Sequence, residues 1–267
     1  GIEIGTSGNI VEFNTISTGG MADNHGIFFD SPVSQNTIDS NTISTRGSYG
    51  LAIANSNGTF TNNVLTNVTD WFYTDPNTDN NLTNTTFATP NGSIRFPGTI
   101  NILGQINATK EKMNISFNSS FLNSSNLTVL NTSAEISLEN ITFYVPQAVV
   151  DFEDDGTFMN CTGPQCVEVS YVSSRYVFNV TGFTTYAVAE GLGVINLTAT
   201  KVGMPDPVAP GTILTYTIVV TNSGSATAGS SPPVWSGVAH GRSPLRRDVS
   251  ACLGTSSLAE LSSHSNG

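Results

Sequence analysis

The sequence predicts an all-β chain: a coil of stacked short strands first, antiparallel strands after it. Three observations carry this. A phrase of Asn, Thr, Ser and Ile recurs at fixed offsets over the first 65 residues. Apolar residues there alternate at period two, with no helical spacing running through them. Asn, Thr and Ser dominate the polar residues, a composition that favours strands and turns over helices.

The coil comes first. The windows "NIVEFNTI" (9–16), "NTIDSNTI" (36–43) and "GTFTNNVL" (58–65) align position by position. Their third positions are Val11, Ile38 and Phe60, their sixth Asn14, Asn41 and Asn63, and their eighth Ile16, Ile43 and Leu65. Upstream of each lies a Gly-led alternation, "GIEI", "GIFF" and "GLAI", in which Ile2, Ile27 and Leu51 match, as do Ile4, Phe29 and Ile53. Windows 27 and then 22 residues apart signal a stacked repeat, with "TGGMADNH" (18–25) as a loop insertion. One rung cannot bury its own apolar column. Stacked rungs about 4.8 Å apart can, because like side chains line up. The Asn column fits a corner, where Asn tolerates turn dihedrals and its amide bonds to the rungs above and below.

On these columns, residues 1 to about 70 resemble a right-handed parallel β-helix, the repeat of pectate-lyase-like and NosD-like proteins. The resemblance implies a fold that serves many functions. Gly1 already begins a rung, so the chain reads as a fragment of a longer coil, truncated upstream. "WFYTDPNTDNNLT" (71–83) reads as the exit cap, which sets the first domain at 1–80. Trp71, Phe72 and Tyr73 can pack as a core cap or present a sugar-stacking platform.

Over 84–191 short alternating stretches punctuated by Gly, Pro and Asn predict an antiparallel β-sandwich. Fifteen N-x-Ser/Thr sites begin at Asn57, Asn67, Asn81, Asn84, Asn91, Asn107, Asn114, Asn118, Asn123, Asn126, Asn131, Asn140, Asn160, Asn179 and Asn196, and the first 56 residues have none. They read as N-glycosylation acceptors on an extracellular surface, or as a product of composition. Cys161 and Cys166 enclose the turn "TGPQ" and are expected to form a disulfide, which implies an oxidising compartment. In "DFEDDGTF", Asp151, Glu153, Asp154 and Asp155 precede Gly156. Asp-Gly between alternating strands signals a hairpin tip; clustered carboxylates also suit calcium, the one cofactor the chain suggests. "VDFEDDGTF" and "YVFNVTGFTTYAV" resemble a module that follows β-helix repeats in archaeal surface proteins.

Residues 195–228 resemble the opening of an immunoglobulin-like repeat found in tandem on prokaryotic cell surfaces, with "DPVAPG" feeding the strand "ILTYTIVVTN". Composition then breaks. Residues 1–227 hold 27 Asn and the last 40 hold one. The tail, 229–267, is expected to be disordered or out of frame, with Cys252 an odd thiol. The predicted fold class is therefore all-β: a truncated right-handed parallel β-helix, an antiparallel β-sandwich and a partial Ig-like module.

The chain has 267 residues, only 11% of them charged, with a formal net charge of −11 and nine Lys and Arg. Phosphate recognition needs clustered cations, so a nucleic-acid partner is excluded. No run of 18 apolar residues is present, so no membrane span is expected. No catalytic site is expected; the candidates are Glu12 and Asp39, which share an offset in adjacent windows and read first as a solvated pair on an exposed strand face. They are expected to point outward about 5 Å apart, near the separation that retaining glycosidases use. The coil offers one Arg, Arg46, and no Lys as a lyase base, and His25 sits in the inserted loop with Asp23 and Asn24 as an ordinary solvated side chain. The expected function is thus an extracellular or cell-surface structural or adhesive protein that binds or displays glycans, with no catalytic site in this fragment. A polysaccharide-cleaving β-helix enzyme whose active rungs lie upstream is the alternative. A polysaccharide or cell-surface glycan is the expected partner, and oligomeric state is open.

Overall fold

A computed structural model describes residues 1–20, 24–30, 32–54, 56–193, 196–204, 214–224 and 257–263. The chain divides into two compact units, 1–190 and 191–267.

The first unit opens as a β-solenoid of four turns. The first turn holds β1 (Ile2–Ile4), β2 (Ile10–Glu12) and β3 (Thr15–Thr18). The second holds β4 (Ile27–Phe29), β5 (Val33–Asp39) and β6 (Thr42–Thr45). The third holds β7 (Tyr49–Ile53), β8 (Ser56–Thr61) and β9 (Val64–Thr66). The fourth holds β10 (Asp70–Thr74) and β11 (Asp79–Thr89), which turns one corner without a break. All pairings between successive turns are parallel, and the register is the one the windows predict. Val11 lies beside Ile38, Ile38 beside Phe60 and Phe60 beside Leu82. Ile16, Ile43, Leu65 and Phe87 form a second column. Ile2, Ile27, Leu51 and Phe72 form a third, and Ile4, Phe29, Ile53 and Thr74 a fourth. From the second turn onward the apolar members of these columns are buried.

The fourth turn is a copy that reads poorly in sequence. "NNLTNTTF" (80–87) puts Asn80, Leu82, Thr85 and Phe87 where the third window has Gly58, Phe60, Asn63 and Leu65. The stack therefore runs past residue 80. The same sheet then goes on as antiparallel strands: β11, β12 (Gly92–Leu103), β16 (Ala134–Leu138), β20 (Arg175–Val180) and β19 (Cys166–Val172). β13 (Ile106–Ala108) adds antiparallel to β10. A second antiparallel sheet contains β14 (Met113–Ser116), β15 (Ser119–Leu122), β21 (Thr185–Glu190), β17 (Pro146–Asp151) and β18 (Met159–Asn160).

One apolar core joins coil and antiparallel strands. Its aromatic members form a chain, Trp71 to Phe87 to Phe96 to Phe183 to Tyr186, with ring centroids 5.4–6.3 Å apart. Edge-to-face pairs at such distances contribute beyond the area they bury. The open end of the last turn is thus closed by the strands that follow it. Trp71 and Phe72 are fully buried, and the Trp71 indole donates to the Met113 carbonyl at 2.6 Å. Only Tyr73 of the three sequence-adjacent aromatics faces outward.

The second unit contains β22 (Leu197–Met204), β23 (Leu214–Asn222) and β24 (Ser257–Ser263) in one antiparallel sheet. "DPVAPG", Cys252 and the tail apart from β24 lie outside the described residues. No helix among the described residues is long and apolar enough to cross a membrane.

Candidate functional site

The corner asparagines form a ladder. The Asn14 N–H and Nδ2 donate to Asn41 Oδ1 at 2.9 and 3.2 Å. The Asn41 N–H and Nδ2 donate to Asn63 Oδ1 at 3.0 and 3.2 Å. Asn41 Nδ2 also donates to the Val11 and Asp39 carbonyls, and Asn63 Nδ2 to that of Ile38. Asn41 and Asn63 are buried and Asn14 is exposed. Asn36 begins a second ladder, accepting from Asn9 N–H at 2.8 Å. The residue just before the corner Asn takes a left-handed conformation in each of the first three turns, at Phe13, Ser40 and Asn62, and Asn84 repeats this in the fourth.

Strand geometry separates these asparagines from the N-x-Ser/Thr set. The described buried asparagines are Asn36, Asn41, Asn63 and Asn80, and none heads an N-x-Ser/Thr triplet. Residues i and i+2 of a strand share a face. An inward Asn is therefore followed two residues on by the aliphatic column: Ile38, Ile43, Leu65 and Leu82. The N-x-Ser/Thr triplets lack that aliphatic residue at i+2, and none of their asparagines is buried. Asn57, Asn67, Asn114, Asn126, Asn131, Asn140, Asn160, Asn179 and Asn196 are exposed, and Asn81, Asn84, Asn91, Asn107, Asn118 and Asn123 are half-buried. Some of them also hold the fold. Asn118 spans to β21, donating from Nδ2 to the Val188 carbonyl at 2.7 Å and accepting from Val188 N–H at 3.1 Å. Asn131 Oδ1 accepts from Phe183 N–H at 2.7 Å.

Glu12 and Asp39 are register partners on adjacent turns, with Glu12 exposed and Asp39 half-buried. Asp39 terminates an outer chain of hydrogen bonds. Arg95 Nε donates to Asn84 Oδ1 at 2.8 Å, Asn84 Nδ2 to Asn62 Oδ1 at 2.7 Å, and Asn62 Nδ2 to Asp39 Oδ1 at 3.0 Å. This carboxylate is anchored as an acceptor at the end of a structural chain.

The acidic hairpin binds its oxygens to its own main chain and to two hydroxyls beside it. Asp151 is buried and accepts from the N–H groups of Asp155 and Gly156 at 3.2 and 2.7 Å. Asp154 Oδ1 accepts from the hydroxyls of Thr184 and Thr185 at 3.0 and 2.7 Å. Asp155 Oδ1 accepts from Thr157 N–H, and Glu153 is exposed. Among the described residues no three His, Cys, Asp or Glu side chains converge as a metal site. Cys161 and Cys166 are disulfide-bonded with Cα atoms 5.5 Å apart. The bond ties the residue after β18, an edge strand of the second antiparallel sheet, to the first residue of β19, an edge strand of the large mixed sheet.

The outward column of the first sheet is Glu3, Phe28, Ala52, Tyr73 and Asn107. Ala52 is small, so the flanking rings of Phe28 and Tyr73 frame a recess of about 270 Å³ that Tyr49 and His25 wall. His25 corrects the sequence expectation of a solvated loop side chain. Its ring lies 5.3 Å from Phe28 and 5.9 Å from Tyr49, nearly parallel to the latter. Asp23 lies outside the described residues. Tyr49 and Tyr73 are 5.8 Å apart. Tyr49 Oη donates to Asn107 Oδ1 at 2.9 Å, and Gln105 Nε2 donates to Tyr73 Oη at 3.2 Å. Burial and the charge of Asp70 raise the Tyr49 phenol pKa, and the hydrogen bond with Asp75 raises that of Tyr73. Both hydroxyls therefore stay protonated at neutral pH. Nearby, Lys110 Nζ sits 3.4 Å from the Trp71 ring centroid, a cation–π contact. Burial pulls this ammonium down to about 8 against the opposing charge of Asp70. The recess is assembled by rung stacking from residues 25 to 73, so no local motif announces it.

No protein-family model, no curated protein and no solved structure matches the chain.

Proposed function

We propose that the protein is an extracellular or cell-surface structural protein that displays N-linked glycans from a β-solenoid scaffold. The observation that carries this reading is that none of the fifteen N-x-Ser/Thr asparagines is buried and nine are exposed, while the buried asparagines lack the triplet. The disulfide supports export, since such bonds persist in oxidising compartments. In this reading the antiparallel strands act as a sandwich module and β22–β23 as the start of an Ig-like spacer. The whole is akin to pectate-lyase-like repeats as used in archaeal surface proteins. Display follows more directly than binding, because the acceptors are spread over the unit while the one recess described is small.

The test is secretion of the chain from a glycosylating host, followed by site-resolved mass spectrometry before and after enzymatic deglycosylation. Occupancy at several of the exposed sites, Asn57, Asn114, Asn126, Asn140 and Asn179 among them, is expected. A secreted, folded chain of unmodified mass overturns the reading.

A further inference from the structure

We propose that the aromatic recess receives the first sugar of a glycan carried by Asn107, so that the protein packs part of its own coat against the solenoid. This rests on the display reading above. Asn107 heads the triplet Asn107-Ala108-Thr109 on β13. It stands directly across the strand pair from Tyr73, about 5 Å away backbone to backbone. Its Oδ1 is fixed by the hydroxyl of Tyr49, whose ring walls the recess. Ala108 is buried inward, so Asn107 projects to the same outer face as Tyr73. A pyranose on Nδ2 therefore starts at the mouth of the recess, beside two aromatic rings.

The recess suits that occupant. Its volume of about 270 Å³ lies at the small end of ligand sites, room for one ring with its substituents. Phe28, Tyr49 and Tyr73 offer ring faces for the axial C–H groups of a pyranose, and the protonated phenols and Gln105 supply polar partners at the rim. Thr109 Oγ1 is enclosed in the folded chain, so transfer to Asn107 precedes the docking of β13. In that transfer the C1–O bond of a lipid-linked glycosyl phosphate breaks, a C1–Nδ2 bond forms, and the amide proton leaves as the phosphate departs. One Nδ2 proton remains, and Oδ1 accepts from the Tyr49 hydroxyl once β13 docks.

The experiment uses the full chain secreted from a glycosylating host. Site-resolved occupancy is measured first, then the rate at which a glycan-releasing amidase strips each site from native protein. Release at Asn107 is expected to be about tenfold slower than at Asn114, and Tyr73→Ser is expected to remove most of that difference. Rates at Asn114 and Asn179 should stay unchanged in the variant, which reports that the fold is intact. Phe28→Ser, on the opposite wall, should act in the same direction. Nuclear Overhauser contacts between sugar C–H protons and the Tyr49 or Tyr73 ring give a readout that needs no variant. An occupied Asn107 whose release ignores both substitutions and whose sugar shows no ring contact overturns the inference. So does an empty Asn107 on a chain modified elsewhere, which leaves the display reading standing. A chain modified nowhere overturns both.

Discussion

Asn41→Ala removes the middle of the corner ladder and should be among the costliest polar substitutions in the coil. Asn41 is 1% exposed. Its side chain donates to the Val11 and Asp39 carbonyls, both at 2.9 Å, and accepts from Asn14. Alanine deletes these bonds and leaves main-chain groups of adjacent turns without partners. At about 1 kcal/mol net for each bond lost, and more where a buried group stays unsatisfied, the cost is about 3 kcal/mol. Asn14→Ala is the internal control. Its side chain lies at the exposed end of the ladder, where water replaces the bond to the Glu12 carbonyl, so the loss should stay under about 1 kcal/mol. Asn41→Asp should be worse than Asn41→Ala at neutral pH, since a carboxylate facing the Val11 and Asp39 carbonyls repels both. Urea unfolding followed by circular dichroism reads the effect as a midpoint lowered by about 1–2 M for Asn41→Ala. Equal midpoints for the Asn14 and Asn41 variants would refute the ladder as a source of stability.

Other substitutions test separate parts of the account. Asn118→Ala loses both amide bonds to β21 and should cost about 2 kcal/mol in the same unfolding assay. Asn118→Gly should recover about 1 kcal/mol of it, because the position holds φ at 55°. Phe13 is 75% exposed and held at φ 56°, so Phe13→Asn, the residue found at the matching corners 62 and 84, should raise stability by about 0.5–1 kcal/mol. Stability should rise with pH from about 8 toward 10. Burial depresses the folded Lys110 pKa from 10.5 to about 8, so in this window the unfolded chain binds the extra proton. Above pH 10 it should fall, because burial raises Tyr176 and Tyr186 to about 12 and the folded chain then holds protons that the unfolded chain has lost. Lys110→Met should flatten the rise and Tyr186→Phe reduce the fall, both read from urea midpoints across pH 7–11.

The columns that define the coil are legible because period-two alternation and rung length together fix which residues stack. Val11, Ile38 and Phe60 needed no tertiary information to align, nor did Asn14, Asn41 and Asn63. The fourth turn escaped because Thr85 replaces the corner Asn and because "NNLTNTTF" sits inside a longer Asn- and Thr-rich stretch. The companion ladder from Asn9 to Asn36 occupies the first position of the same windows, but Gly58 interrupts it. Alternation alone does not mark the end of the coil. Alternation looks the same whether a strand pairs parallel with a previous turn or antiparallel with the next strand, and β11 does both. The recess was illegible for another reason. Phe28, Tyr49 and Tyr73 meet only after three turns stack, and His25 reads as loop until its ring is seen against theirs. Asp39 shows the converse limit, since spacing placed it beside Glu12 correctly but could not show that Asn62 and Asn84 bind it into an outer chain.

Both the Asn ladder and the aromatic recess depend on superposed turns in one register. The most direct measurement joins Glu12→Cys with Asp39→Cys, in a Cys252→Ser background, and treats the folded protein with a short bis-alkylating reagent that spans about 5 Å. These outward register partners on adjacent turns should be bridged rapidly and in high yield, while Glu12→Cys with Thr61→Cys, two turns and about 10 Å apart, should not. Equal bridging of the two pairs, or none for the adjacent pair, would contradict the stacked coil.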